Sequence, residues 1–195
     1  MTFIFWILLA YVLGSIPFGL VIAKSVCSTD PRENGSRNTG ATNVARLCGM
    51  KYGIATLACD VLKGLLPVVF AASWIESPFA LSLVGLAAIL GHVFSCFMHF
   101  KGGKAVATTV GVFLGLAFWP ALIAIALCLL MVWLTGHVSM GSLTFALSLP
   151  VLMLLSGNLS YIPVALVVML ILFWRHKDNI RRLARGEENP WLKKE

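Results

Sequence analysis

Residues 100–108 read Phe100-Lys101-Gly102-Gly103-Lys104-Ala105-Val106-Ala107-Thr108, a basic, glycine-rich stretch between two long apolar runs. We call it the central island. Polar residues collect in only two other stretches, the first island at 24–52 and the third island at 175–195. Most of the apolar runs between the islands are about as long as an α-helix must be to cross a bilayer. The sequence therefore predicts an all-α integral membrane protein.

The composition supports this class. Hydrophobic residues make up 59% of the 195 residues and charged residues 12%, and a water-soluble domain could not cover so much apolar surface. The net charge of +7 would suggest nucleic acid as a partner of a soluble protein. Here the basic residues lie where cytoplasmic loops are expected, so we expect no nucleic acid. We predict a single polytopic domain over 1–195.

Seven apolar runs are candidate membrane spans. Alternating them from an outside N-terminus places all fifteen Lys and Arg residues on the cytoplasmic side, except Lys63, which lies within the second span. The C-terminus is then cytoplasmic. The fourth and fifth spans are short, and a re-entrant hairpin is the alternative for them. The predicted spans are Thr2–Ala23, Gly53–Trp74, Pro78–Met98, Ala105–Trp119, Pro120–Thr135, Val138–Leu155 and Tyr161–Trp174.

Cysteine and histidine patterns argue against a metal centre. The five cysteines form no C-x-x-C pair, so we predict reduced, unpaired thiols. His92 and His99 lie seven residues apart and would share a helical face, but no nearby carboxylate completes a metal site. We expect no metal and no cofactor. The cysteines are Cys27, Cys48, Cys59, Cys96 and Cys128.

The central island has the features of a phosphate-binding turn. Gly102 and Gly103 would expose consecutive N–H groups at the start of a helix, and Lys101 and Lys104 add positive charge. Ala105 stands where a nucleotide-binding P-loop needs Ser or Thr to hold magnesium, which disfavours a nucleotide triphosphatase. The alternative is a glycine turn with two lysines that anchor it at the membrane surface.

The first island predicts an anion-binding loop. Glycines at 35 and 40 permit tight turns. Arg46 offers a planar fork suited to phosphate, on the same face as Asn43 if a helix begins near Thr42. The alternative is a solvated cytoplasmic turn. The uncharged hydrogen-bonding residues of the island are Ser36, Asn38, Thr39, Thr42 and Asn43.

The third island predicts a short amphipathic helix. His176 and Asn179 fall at i and i+3, so both can face one partner, while Ile180 and Leu183 contact membrane or protein. A basic tail lying on anionic lipid is the alternative. The side chain of Asn179 and the acidic pair Glu187-Glu188 are more than that role requires.

Together the islands resemble one family, the bacterial membrane glycerol-3-phosphate acyltransferases that use acyl phosphate as donor. The resemblance covers essentially the whole chain and rests on three ordered motifs. They are Gly35-Ser36-Arg37-Asn38-Thr39-Gly40-Ala41-Thr42-Asn43 through Arg46, Gly91-His92 through Phe100-Lys101-Gly102-Gly103-Lys104-Ala105-Val106-Ala107-Thr108, and His176 through Asn179-Ile180-Arg181-Arg182-Leu183 to Gly186 and Glu188.

The resemblance implies transfer of a fatty acyl group from acyl phosphate to the sn-1 hydroxyl of glycerol 3-phosphate, giving lysophosphatidic acid and phosphate. Its matching positions imply a catalytic set of His176, Asn179, Lys104 and Ser36. Glu188 would brace the third motif. The implied substrate-binding residues are Ser36, Thr42, Asn43, Arg46, Gly102, Gly103, Lys104, Ser139, Ser142, His176, Asn179 and Glu188.

The resemblance also implies where the enzyme works. We expect a monomer among membrane lipids of the bacterial cytoplasmic (inner) membrane, with its active site at the cytoplasmic face and no covalent acyl-enzyme. The general base is either His176 or the substrate's own phosphate. Asp60 and Lys63, three residues apart within a span, are expected to pair or to face the site.

Other functional classes fit the residues less well. A transporter of a phosphorylated metabolite generally binds near the bilayer midplane, whereas the polar groups here collect at one face. A magnesium-dependent phospholipid alcohol transferase needs clustered aspartates, and only Asp60 lies within a span. A lipid-binding structural protein leaves the glycine-rich motifs unexplained.

Overall fold

The computed structural model describes residues 1–191, and this part of the chain contains helices and turns but no strand. The all-α prediction is confirmed. The chain divides into two compact units, Met1–Leu116 and a second that begins at Ala117; the single domain remains a prediction. The α-helices are α1 Thr2–Ser15, α2 Phe18–Cys27, α3 Ala41–Cys48, α4 Met50–Ala71, α5 Pro78–Val93, α6 Val106–Leu116, α7 Phe118–Thr135, α8 Val138–Leu155, α9 Ile162–Arg175 and α10 Lys177–Ala184.

Five helical segments in the described chain are long and apolar enough to cross a membrane. A sixth is obtained if Leu159–Arg175 and Lys177–Ala184, bent by 60°, count as one span. Helix α6 has 11 residues and is about 17 Å long, well short of the roughly 30 Å of a bilayer core. The seven-span count and the orientation therefore remain predictions. The five segments are Thr2–Cys27, Met50–Ala71, Pro78–Met98, Phe118–Thr135 and Val138–Leu155.

The first span is broken between α1 and α2, at Ile16 and Pro17. The last carbonyls of a helix have no donors within that helix. Side chains of the first unit donate to the carbonyls at the end of α1: the Ser95 hydroxyl donates to the carbonyl of Ser15, and Nζ of Lys63 donates to that of Ile16 at 2.8 Å. The break is thus built into the fold.

Helices of the first unit approach closely through glycines. A methyl group on Gly14 of α1 would overlap the backbone of Ala88 in α5, and one on Gly64 of α4 would overlap the backbone of Thr108 in α6. Only a residue without a side chain permits such contact. These contacts fix α5 and α6, and the connection between them carries the central island.

The second unit is built on α8, which packs against α7 and α9. The turn between α7 and α8 contains Gly136 in the left-handed region, at φ 74°. Its carbonyl accepts a hydrogen bond from the N–H of Trp191 at 2.7 Å. The tail after α10 is therefore fastened at the start of α8.

One prediction about the cysteines is wrong. Cys27 at the end of α2 and Cys48 at the end of α3 form a disulfide, with 5.8 Å between their Cα atoms. Cys59, Cys96 and Cys128 are free, as predicted. The pair was not recognised because the loop between α2 and α3 brings the two helix ends together, and a separation of 21 residues has no signature of its own.

Candidate active site

The loop between α2 and α3 is organised by Asn43. Its side-chain NH₂ lies 3.0, 3.1 and 2.9 Å from the carbonyls of Pro31, Asn34 and Asn38. Its Oδ1 accepts the N–H of Ser36 at 2.9 Å. Asn43 is 2% exposed, so the structure places this predicted substrate ligand inside the loop, as a brace that fixes the backbone of Ser36.

Ser36 itself is exposed at the surface of this loop, and Arg46 is exposed on α3. Thr42, half-buried, lies in the first turn of α3, which begins at Ala41 and so close to the predicted start. The first island thus presents a hydroxyl and a guanidinium at its surface while its polar interior is satisfied by Asn43.

An acidic residue in the same loop engages two of its cations. Asp30 lies 2.7 Å from Nη2 of Arg32 and 3.2 Å from Nζ of Lys24. The hydrogen bonds from Arg32 are the main reason that the pKa of Asp30 lies well below its usual range. Asp30 therefore stays ionised and offsets part of the positive charge of Arg32 and Lys24.

The central turn differs from its prediction in one respect. The N–H of Gly102 donates to the carbonyl of Val93 at 2.9 Å, and that of Gly103 to the carbonyl of His92 at 3.1 Å. The expectation that both amides are exposed for phosphate is therefore wrong. A methyl group on Gly102 would overlap the carbonyl of His92, so glycine is needed here for close approach to the end of α5.

Left-handed backbone surrounds this turn. His99, Phe100 and Ala105 have φ of 51°, 59° and 62°, a conformation that costs non-glycine residues on the order of 1–3 kcal/mol each and clusters at functional sites. The turn carries an exposed Lys101 and a half-buried Lys104 to the beginning of α6. A helix N-terminus favours anions, and the lysines add to that preference.

The first and central islands meet inside the first unit. A methyl group on Gly103 would lie 3.2 Å from Oγ1 of Thr39 and would overlap Nε2 of His92. Thr39 and His92 also line a small cleft with the buried charges Asp60 and Lys63. The two predicted phosphate-binding motifs of this unit are thus held against each other.

His92 makes contacts that the sequence did not reveal. In the sequence it begins the second motif of the family resemblance and was weighed as half of a metal pair with His99, and residues 1–191 contain no group of three His, Cys, Asp or Glu residues that could hold a metal. Instead, Nδ1 of His92 lies 2.9 Å from Oγ1 of Thr108 and 3.9 Å from Oδ1 of Asp60. The signals in the sequence were the pair of charges within the second span and the place of His92 in the second motif.

In the second unit His176 occupies the break between α9 and α10 and is 3% exposed. Its Nδ1 lies 2.8 Å from the carbonyl of Leu172. Because a carbonyl only accepts hydrogen bonds, Nδ1 carries the proton of this contact. The neutral ring then has its lone pair on Nε2, the atom able to take up a proton.

Glu188 connects two other residues of the third island through hydrogen bonds. Its Oε1 accepts from Nδ2 of Asn179 at 2.6 Å and its Oε2 from Nε of Arg182 at 2.7 Å. Burial alone would raise the pKa of Glu188, but the hydrogen bonds, that of Asn179 foremost, hold it below its usual value. Its backbone carbonyl lies 3.2 Å from Nε2 of His137. Glu188 thus contacts Asn179, Arg182 and His137, and its predicted role in the site remains a prediction.

Two further predicted residues lie at the start of α8. Ser139 and Ser142 are buried and three residues apart, so they share a face of the helix. The hydroxyl of Ser142 donates to the carbonyl of Val138 at 2.9 Å. Ser142 therefore has a structural bond within its own helix.

Comparisons with known proteins point to one family. A family model described as glycerol-3-phosphate acyltransferase matches residues 4–186. A protein of that name from Nitratidesulfovibrio vulgaris is 59% identical over 97% of this chain, which spans 58% of that protein's length. One from Maridesulfovibrio salexigens is 55% identical over 100% of both chains.

Solved structures give the same result. The crystal structure of PlsY (YgiH), an integral membrane glycerol 3-phosphate acyltransferase, in its glycerol 3-phosphate form is 37% identical, with a TM-score of 0.94 over 97% of this chain and 96% of that one. Its lysophosphatidic acid form matches at 36% identity and a TM-score of 0.91, over 97% of this chain and 95% of that one.

Proposed function

This chain belongs to the glycerol-3-phosphate acyltransferase family, and on that premise we propose that it transfers a fatty acyl group from acyl phosphate to the sn-1 hydroxyl of glycerol 3-phosphate. The products are lysophosphatidic acid and inorganic phosphate. The observation that carries the proposal is the strained, glycine-packed turn that presents Lys104 at the start of α6. The ligand forms of the solved relative support the acceptor and the product, and the motif resemblance supports the donor.

The first unit supplies the phosphate-binding residues in this proposal. Lys104 and Arg46 provide positive charge, and Ser36 and Thr42 provide hydroxyl groups. Asn43 and the glycines at 102 and 103 act as structural supports, because their polar groups are used within the fold. The N-terminal end of α6 adds its dipole to the lysine charge.

The second unit supplies the proton-handling residues. The hydroxyl oxygen attacks the acyl carbonyl, the bond from that carbon to the phosphate oxygen breaks, and phosphate leaves with the electron pair. The hydroxyl proton passes either to Nε2 of His176 or to the substrate's phosphate. Asn179 is oriented by Glu188. Acyl phosphate is already activated, so orientation and charge stabilisation suffice without a covalent acyl-enzyme.

A pH profile distinguishes the two bases. If His176 is the base, His176→Ala flattens the acidic limb of the pH–rate profile, because that limb reports the protonation of imidazole. Residual turnover with an unchanged profile assigns the proton to the substrate's phosphate.

We further propose a monomer in the bacterial cytoplasmic membrane, with seven spans, the N-terminus outside and the acyl chain within the lipid. The distribution of Lys and Arg supports this topology. An impermeant thiol reagent applied to intact cells should label a cysteine introduced at Glu76 and not one at Glu187, in a background without the native free thiols. Labelling of Glu187→Cys instead would reverse the orientation.

The test of function is a comparison of donors. Purified protein receives glycerol 3-phosphate with acyl phosphate, acyl-CoA or acyl carrier protein in separate reactions, without added metal. We expect lysophosphatidic acid from acyl phosphate alone. Product only from acyl-CoA would overturn the donor, and glycerol 3-phosphate uptake into vesicles without acyl transfer would favour the transporter.

A further inference from the structure

The first unit contains two buried charges that the proposed reaction does not use. The side chains of Asp60 and Lys63 on α4 are 3% and 4% exposed, and Nζ of Lys63 lies 2.8 Å from Oδ1 of Asp60. Ionisable groups within a membrane span are costly and mark functional positions. The hydrogen bond from Lys63 to the carbonyl of Ile16 gives Lys63 a structural role. Asp60 lies next to a third buried residue.

That third residue is His92, on the last turn of α5 and 7% exposed. Its Nδ1 lies 3.9 Å from Oδ1 of Asp60 and 2.9 Å from Oγ1 of Thr108 on α6. The imidazole is therefore hydrogen-bonded to α6 and has the carboxylate of α4 beside it. Buried polar groups satisfied in this way have one preferred orientation.

His92 contacts the central turn in two ways. Its carbonyl accepts the N–H of Gly103 at 3.1 Å. Its Nε2 occupies the space that a side chain at position 103 would need. Gly103 directly precedes Lys104, so a displacement of the imidazole is transmitted to the lysine through one peptide unit.

We propose that His92 is a positioning residue for the phosphate of glycerol 3-phosphate: its carbonyl and ring set the Gly103–Lys104 backbone, and Thr108 holds the ring beside Asp60. This inference rests on the proposed function. Lys63 neutralises the charge of Asp60 and donates a hydrogen bond to the carbonyl of Ile16 at the break between α1 and α2. The first span is therefore bonded to the residues beside His92. The role requires no proton transfer by His92 and no contact with substrate.

Kinetics of purified variants test the inference. A misplacement of about 1 Å can cost about 10²-fold, so we expect His92→Ala to raise the KM for glycerol 3-phosphate about 10-fold or more. The KM for acyl phosphate should stay within about twofold. Thr108→Val should also raise the KM for glycerol 3-phosphate, but less than His92→Ala does. Thr108→Ser keeps the hydroxyl and should have wild-type KM values.

The matched control is Thr56→Val. Thr56 is a buried threonine of α4 whose hydroxyl donates to the carbonyl of Tyr52 in its own helix at 2.9 Å. The substitution is the same as at Thr108, so it should change the melting temperature without changing either KM. Equal KM effects at both positions would mean that the Thr108 result reports general destabilisation, and would overturn the inference.

A double substitution tests the contact itself. Gly103→Ala adds a methyl group against the ring of His92, and removal of the ring provides room for it. Contacting residues couple by 0.5–3 kcal/mol, so the loss of kcat/KM on Gly103→Ala should be at least about 2-fold smaller when residue 92 is alanine. Additive losses would overturn the contact.

These measurements distinguish a failure of the proposed function from a failure of the positioning role of His92. Absence of turnover by the wild-type protein with every donor would contradict the proposed function. A wild-type enzyme that turns over, with a His92→Ala variant that keeps both KM values, would contradict only the positioning role. If His92→Ala does not fold, the Thr108 pair with its Thr56 control decides the question.

Discussion

The two units of this protein hold their functional residues by different means. In the first unit, main-chain hydrogen bonds and glycine contacts hold the turn before Lys104. In the second, a single carboxylate, Glu188, joins Asn179 and Arg182. All five non-glycine residues with left-handed backbone among residues 1–191 belong to the first unit. The first unit should therefore be sensitive to added volume, and the second to the loss of one charge.

The largest effect is expected from added volume at the central turn. A methyl group in Gly102→Ala would overlap the backbone carbonyl of His92, which cannot rotate away. The resulting shift of Lys104 should lower kcat/KM about 10²-fold or more. The control Gly115→Ala adds the same methyl group at 3.0 Å from a side-chain atom of Val68 and should retain most activity. Near-normal activity of Gly102→Ala would remove the distinction between the units.

The next effect concerns the carboxylate of the second unit. Glu188→Gln removes the charge from two hydrogen bonds of a kind that contributes about 1.5–3 kcal/mol each. We expect kcat/KM to fall about 10- to 100-fold, the equivalent of that energy for one bond. Glu187→Gln changes an exposed neighbour and should leave the rate unchanged. Equal rates for the two variants would show that the third island does not depend on Glu188.

The same carboxylate predicts a dependence of stability on pH. The pKa of Glu188 is lower in the folded protein than its ordinary value of 4.5, so its ionised form stabilises the fold above that value. The contribution decreases below pH 4.5 and is lost as the pH falls through the folded pKa. The difference in melting temperature between wild type and Glu188→Gln should therefore be full at pH 7 and shrink below pH 4.5. A constant difference would contradict this assignment.

The smallest effect tests the strained backbone of the first unit. Ser28 ends α2 with φ 51° and is exposed, a position where glycine is preferred. Ser28→Gly should raise the free energy of unfolding by about 0.5–1 kcal/mol without changing activity. Ser156, which ends α8 at φ −89°, provides the opposite case, and Ser156→Gly should lower stability. Thermal denaturation of both variants in detergent measures the difference.

The sequence predicts those parts of the molecule that depend on local pattern. Hydropathy alone placed the span Val138–Leu155 at the bounds of α8 and the span Pro78–Met98 at the bounds of another long apolar segment. Such features follow from neighbouring residues in the chain. The family resemblance likewise depends on contiguous motifs.

The features that the sequence did not predict depend on contacts between distant segments. The amides of Gly102 and Gly103 have acceptors only because the chain folds back on the end of α5. Cys27 pairs with Cys48 because a loop closes, and His92 meets Thr108 because α5 packs on α6. None of these partners leaves a periodic or spaced signal in the sequence.

The central claim is that the first unit binds the phosphate of glycerol 3-phosphate through Lys104 and Arg46. Isothermal titration of purified protein with glycerol 3-phosphate, and with glycerol as a ligand without phosphate, tests it directly. We predict that glycerol 3-phosphate binds and that glycerol does not. Lys104→Ala and Arg46→Ala should each lower the affinity for glycerol 3-phosphate about 10- to 100-fold. Lys177→Ala, at an exposed lysine of α10, should bind as wild type. Wild-type affinity in Lys104→Ala and Arg46→Ala would contradict the claim.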